Sequence, residues 1–298
     1  MATAYEKQGG KEQLFHELPS EVLPAYPTPW PALIVTRSEI EGEIQRLTSL
    51  DRRPNARRAS EIVHPSSIDS GAAVTPGLSV AINVVLPGEQ VELYRDNGTR
   101  VEFVLQGEGT AAIGVSKFAL AKWGVNTVPS MTKRTYRNDG PVPLVWLSYS
   151  NVPLLKRLGT YYSDSRLSVP LPPLSERSAI EQRYVAKTAP DYPILSDGAR
   201  LRGYEFVTDI EVVENKALSW PWSETSPHLS LEEGDGKRSL MLLVNPATGR
   251  RQGATHSFLA ALSRSPANEL CLCPRGGTAR LTFAGERLRA ARKLCVAP

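Results

Sequence analysis

The chain has 298 residues, of which 41% are hydrophobic and 22% charged, with a formal net charge of +4. These are ordinary values for a soluble globular protein of one large or two smaller domains. No long Lys/Arg tract supports nucleic-acid binding, and no run approaches the ~20 apolar residues that span a bilayer, so neither nucleic acid nor membrane is an expected partner. The densest basic stretch, Arg52, Arg53, Arg57 and Arg58, reads as a solvated loop. The cysteines, Cys271, Cys273 and Cys295, are odd in number and clustered, which fits a reducing compartment better than a disulfide framework. Cys271-Leu272-Cys273 has no second pair to complete a zinc site. The N-terminus lacks a signal-peptide core, so a cytoplasmic location is expected.

Residues 1–36 are polar and then proline-rich and read as an extended arm, which Trp30 and the apolar run 32–35 pin to the body. Ser38 to Leu50 reads as a helix, with Ser38 and Glu41 as a capping box and Ile40, Ile44 and Leu47 on one face. From Thr75 to Pro153 the pattern turns to short strands. Leu78–Leu86, Val91–Tyr94, Arg100–Leu105, Thr110–Val115 and Leu144–Tyr149 alternate or run apolar between Gly, Pro and Asn turns. Strands at such close spacing predict an antiparallel sandwich or barrel. Pro170, Pro172 and Pro173 mark a linker, Ser175–Val185 a short helix, and Leu240–Val244 and Phe258–Leu262 a return to apolar stretches. The expected domains are an arm and helix over 1–70, a barrel over 71–158, a mixed linker over 159–235 and a further β region over 236–298.

One constellation carries chemistry. Gly88, five residues, Tyr94-Arg95-Asp96, five residues, Glu102, six residues and Gly109 form one skeleton. Pro129-Ser130-Met131-Thr132-Lys133-Arg134-Thr135-Tyr136-Arg137-Asn138 forms a second. The pair resembles the two cupin motifs, with the spacer before Glu102 slightly long. Leu86-Pro87-Gly88-Glu89, the stretch 101–109, the stretch 145–154 and Asn245-Pro246-Ala247-Thr248-Gly249 narrow the resemblance to gentisate and salicylate 1,2-dioxygenases. It covers about residues 75–155 well and 215–265 loosely. The implied fold is a mainly β, antiparallel cupin jelly roll with an N-terminal helical arm and an incomplete second cupin-like region. Family members assemble, so a homo-oligomer is an expectation.

The resemblance also implies Fe(II) held by three histidines, whose positions fall on Tyr94, Asp96 and Arg134. Arginine offers no lone pair and repels a divalent cation, and tyrosine ligates well only after losing a proton of pKa ~10. The four histidines, His16, His64, His228 and His256, all lie outside both motifs, with His64 nearest the barrel. No metal and no cofactor are therefore expected. Arg134 beside Asp96 can form a buried ion pair or bind a ligand's carboxylate or phenolate. Tyr94 can serve as acid, and Asp96 or Glu102 as base. Tyr136, on the face of Arg134, with Phe103, Met131 and Trp146, is expected to contact the ligand, and Trp123 to line the same apolar pocket; Lys133 and Arg137 should face solvent. The resulting expectation is a metal-independent cupin that binds or acts on an aromatic or polyketide-like acid, by isomerase, lyase or cyclase chemistry, in secondary metabolism. A non-catalytic binding protein and a ring-cleaving dioxygenase are the alternatives.

Overall fold

The computed structural model describes residues 30–51, 57–67, 73–164, 191–193, 200–202, 216–229, 239–246, 253–255, 257, 260–264, 280–281 and 293–297. Residues up to Trp30 form a unit of their own, and the fold below is that of the chain from Pro31 onward. The expected arm before Trp30, the helix over 175–185, the linker prolines, Arg52, Arg53, Cys271 and Cys273 lie outside the described residues.

Strand β1 (Leu33–Thr36) runs directly into helix α1 (Arg37–Thr48). The helix starts two residues earlier than the Ser38–Glu41 reading. Thr36 is the N-cap: its hydroxyl accepts the Glu39 amide at 3.3 Å, and the Thr36 amide donates to the Glu39 carboxylate at 2.6 Å. Two overlapping Ser/Thr-x-x-Glu frames occur here. The one used is the one whose first residue still has extended backbone, φ −77° and ψ 157° at Thr36. Ile40 and Leu47 are buried and Ile44 packs beside them, so the helix is structural as its periodicity suggests.

The body is a two-sheet antiparallel barrel. Its strands are β2 (Arg58–Ile62), β3 (Ser79–Val85), β4 (Gln90–Leu93), β5 (Arg95–Asp96), β6 (Arg100–Gln106), β7 (Glu108–Ile113), β8 (Ser116–Ala121), β9 (Val125–Val128), β10 (Arg134–Arg137) and β11 (Leu144–Ser150). One sheet has the order β9-β6-β11-β3-β2, the other β4-β10-β7-β8. Between the β2–β3 pair and β11 the chain crosses repeatedly from one sheet to the other, interrupted by the β7–β8 hairpin, which is a jelly-roll topology. The sheet reaches beyond residues 71–158 at both ends, through β2 and through Ser219–Trp220, which pairs with Asn126 and Val125. Helix α2 (Val152–Arg157) closes the segment, and β12 (Ser163–Asp164) pairs with β5.

Side-chain alternation divides the core. On β3, Val80, Ile82 and Val84 point outward, where they meet Val145 and Leu147 of β11 and the apolar face of α1. Val85, Val91, Val104, Ala111, Ile113, Leu144, Trp146 and Tyr136 fill the interior. Two motif glycines answer close backbone approach. A Cβ on Gly107 would meet the Pro143 carbonyl oxygen at 2.5 Å, and one on Gly109 would collide with the Arg137 carbonyl. Asn138, fully buried, donates to the carbonyls of Val85 and Val142 at 2.8 and 2.9 Å and accepts the Gly140 amide, so it ties together the loops at that end.

The basic stretch is not a solvated loop where it is described. Arg58 is buried and paired with Glu89 at 2.6 Å, because β2 joins the sheet beside β3 and brings it under the Pro87–Gly88 turn. His64 is also buried and structural: its Nδ1 accepts the Ser66 amide and its Nε2 lies 2.9 Å from the Pro31 carbonyl. Beyond the barrel, Ser239–Leu242 pairs with Ala261–Arg264. Among the described residues no helix is long and apolar enough to cross a membrane.

Candidate functional site

The inward residues change character along each strand. On β11, Leu144 and Trp146 give way to Ser148 and Ser150; on β3, Val85 gives way to Asn83, Ala81 and Ser79; on β6, Val104 gives way to Glu102 and Arg100; on β10, Tyr136 gives way to Arg134. The registers align these transitions: Ser148 faces Glu102 and Ala81, and Ser150 faces Arg100 and Ser79. The barrel therefore has an apolar end and a polar end. The polar end opens into a cavity of about 100 Å³. Tyr94, Arg57, Glu61, Lys156 and Tyr161 line it together with the inward polar residues. Four cations and two carboxylates meet in it, which favours an anionic occupant.

Asp96 does not pair closely with Arg134. Its carboxylate, 1% exposed, accepts two hydrogen bonds from Arg100, at 2.8 and 2.7 Å, and one from the Gly98 amide at 2.9 Å. Gly98 fits only as glycine, since a Cβ there would stand 2.5 Å from Val152. Burial lowers the Arg100 pKa, but the hydrogen bonds and charge of Asp96 outweigh it and leave the guanidinium raised. Arg134 Nη2 stands 3.8 Å from Asp96 Oδ2, beyond hydrogen-bond reach.

Arg134 is 5% exposed, yet its side chain makes no hydrogen bond among the described residues, and its Nε is buried without a partner. Burial and the neighbouring charge of Arg100 both pull its pKa down; a guanidinium remains cationic regardless. Glu102 shares the cavity. Its Oε2 accepts the Tyr136 hydroxyl at 2.7 Å and its Oε1 accepts Ser148 at 3.4 Å. Burial raises the Glu102 pKa, against the opposing pull of Arg134. Tyr136 is pushed well above the usual phenol range, by burial first and then by the Glu102 charge.

Four expected contacts are corrected. Phe103 alternates with Glu102 and points to the outer face, where it stacks on Trp123 at 5.7 Å; Trp123 is thereby outside as well. Met131 occupies the turn before β10, with φ +57° and its amide donating to the Asp96 carbonyl, and does not line the cavity. Trp146 faces inward one layer too deep, stacked on Tyr136 at 4.6 Å in the apolar end, with its indole N–H unpartnered. Tyr136 reaches the site only through its hydroxyl. Tyr94 lines the cavity mouth and is 45% exposed. Lys133 and Arg137 face solvent as the strand period requires, paired with Glu92 and Asp139. The residues missed in sequence include Arg100, Arg57, Glu61, Ser148, Lys156 and Tyr161.

These features define the class: an antiparallel cupin jelly roll with a polar, cation-rich cavity. No family model matches the chain, and no curated protein matches it in sequence. Solved structures do match. The salicylate 1,2-dioxygenase of Pseudaminobacter salicylatoxidans superposes with a TM-score of 0.54 at 17% identity, over 76% of this chain and 64% of that one. A point mutant of the same enzyme gives 0.53 at 17%, over 77% and 65%. Its adduct with gentisate gives 0.51 at 16%, over 76% and 62%. The likeness establishes the fold, and this chain spans less than two thirds of the length of each.

The donor set does not fit the Fe(II) that the resemblance of the two motifs implies. Fe(II) oxygenase sites need imidazole and carboxylate ligands with open positions. At the three motif positions stand a cation, a carboxylate already held by Arg100, and a half-exposed phenol. Glu102 is bonded to Tyr136, and among the described residues no three His, Cys, Asp or Glu side chains cluster to hold a metal ion.

Proposed function

We propose that this cupin binds a small organic acid in its barrel, without a metal ion, through the guanidinium of Arg134. One observation carries the reading: a buried arginine lines an open cavity with its hydrogen-bond donors unspent. Such a group is costly to leave unsatisfied, and a carboxylate or phenolate supplies two parallel, charge-assisted bonds to it. The histidines of the cupin motif, on this reading, have given way to Tyr94, Asp96 and Arg134. Asp96 keeps Arg100 occupied and so leaves Arg134 for the ligand. The volume of about 100 Å³ is small beside the ~300–1,000 Å³ of pockets for drug-sized ligands, which favours a small acid over a polyketide-like one. Action on the acid, and not binding alone, is favoured by Glu102, a buried carboxylate with raised pKa facing the same space.

The test is thermal unfolding of the full chain in EDTA with acetate, propionate and butyrate, and with their neutral amides. The acids should raise the midpoint in a concentration-dependent way, the amides should not, and Arg134→Ala should abolish the response. Equal effects of acid and amide, or a response retained in Arg134→Ala, would falsify the reading. The ring-cleaving alternative makes a separate demand: stoichiometric iron and O2 uptake with gentisate.

A further inference from the structure

Resting on the small-acid reading, the same cavity narrows both the acid and the reaction. Its volume of about 100 Å³ lies below the ~150 Å³ of a dry cavity that accepts benzene, so a substituted ring is oversized and a three- or four-carbon acid fits. Asp96 is committed to Arg100 and Gly98, whereas Glu102 lines the cavity beside Arg134 and forms no ion pair among the described residues. The Tyr136 hydroxyl fixes one of its oxygens, and the other has only the 3.4 Å contact from Ser148. Glu102 stands on one sheet and Arg134 on the other, so an oriented carboxylate and an unspent guanidinium flank one small space.

We infer that the barrel enolises short-chain oxo acids, with Glu102 as the catalytic base and Arg134 holding the oxygen on which negative charge collects. Glu102 takes a proton from the carbon next to the carbonyl. The C–H pair becomes the new C=C bond, and the carbonyl π pair moves onto oxygen beside the guanidinium, where a preorganised cation is most effective. Returning the proton regenerates the acid. Nothing is oxidised or reduced, and no co-reactant is consumed. Tyr136 is a positioning residue that acts through Glu102. Arg100, Asp96, Glu61, Lys156, Arg57, Tyr94 and Tyr161 are the other ionisable groups around this pair.

Pyruvate and acetoacetate are the probes, in D2O with EDTA, with deuterium uptake at carbon followed by proton NMR. The full chain should accelerate exchange. Glu102→Gln should slow it by about 10²–10⁴-fold, the usual contribution of a general base, and keep the thermal response to the acid. Tyr136→Phe should shift the limb of the pH–rate profile upward, because the lost hydrogen bond holds the Glu102 pKa down. If Glu102→Gln does not fold, Glu102→Asp takes its place and should slow exchange by withdrawing the carboxylate one methylene. Acid binding without exchange overturns the inference and leaves the binding reading standing. Exchange undiminished in the Glu102 variant overturns the assignment of the base. No thermal response to pyruvate, acetoacetate or the simple acids overturns the binding reading, and the inference with it.

Discussion

The two ends of the barrel interior are built by the same strands and do opposite things. At the apolar end, Val85, Val91, Val104, Ile113, Leu144 and Trp146 exclude water and contribute stability through burial. At the polar end, Glu102 and Arg134 are buried nearly as well and Arg100 is largely covered, and each charge there costs free energy unless it is met by a partner. Arg100 is met by Asp96 at hydrogen-bond distance, whereas Arg134 has only the 3.8 Å ion pair with Asp96 and no hydrogen bond among the described residues. The comparison separates residues that hold the fold from residues the fold holds in place.

Removing the partner of a satisfied charge should do most damage. Asp96→Ala strands Arg100 and should cost about 3–5 kcal/mol in urea unfolding, as other broken buried pairs do. A loss below about 1 kcal/mol would mean that the pair is solvated and that the polar end is not an interior. Leu144→Ala, fully buried at the apolar end, should cost about 2–5 kcal/mol and leave the thermal response to small acids intact. The third substitution should move the other way: Arg134→Leu should be neutral or stabilise by about 1 kcal/mol while abolishing that response. A clear destabilisation would place Arg134 in the ion network with Asp96.

The smallest effect is a slope. Because the Glu102 pKa is raised in the folded chain, the folded state keeps a proton that the unfolded state has lost. That contribution is complete below the unfolded carboxylate value of about 4.3 and fades as pH rises through the folded one. The stability of Glu102→Gln relative to the parent should therefore increase with pH across that window, and unfolding midpoints from pH 4 upward would show it. A flat difference would mean that Glu102 ionises as freely inside as outside.

Much of the fold is legible in the chain itself. β3, β6 and β11 carry period-2 or continuous apolar patterns that survive in the structure with shifts of a residue or two at their ends. β9, Val-Asn-Thr-Val, was harder because all four residues are buried: Thr127 bonds to Leu218, which arrives from far along the chain. The site was legible to the extent that motif spacing found Glu102 and Arg134. Parity alone would have put Phe103 outside once Glu102 was inside. Parity carries no information about depth, which is why Trp146 faced the right way and lay in the wrong layer. The Arg100–Asp96 pair depends on how the Asn97–Thr99 turn closes, and Arg57, Lys156 and Tyr161 depend on elements that meet only in the folded chain.

Arg134 also has a meaning on the timescale of descent. A buried guanidinium whose hydrogen-bond donors are unspent is a standing load, and a lineage with no use for it would drift to leucine or methionine at that position without losing the barrel. Diverged copies of this chain that retain arginine there, while the apolar end exchanges valine for isoleucine and leucine, would record a demand made by something outside the fold. Copies in which the position has turned aliphatic would mark lineages where that demand has lapsed.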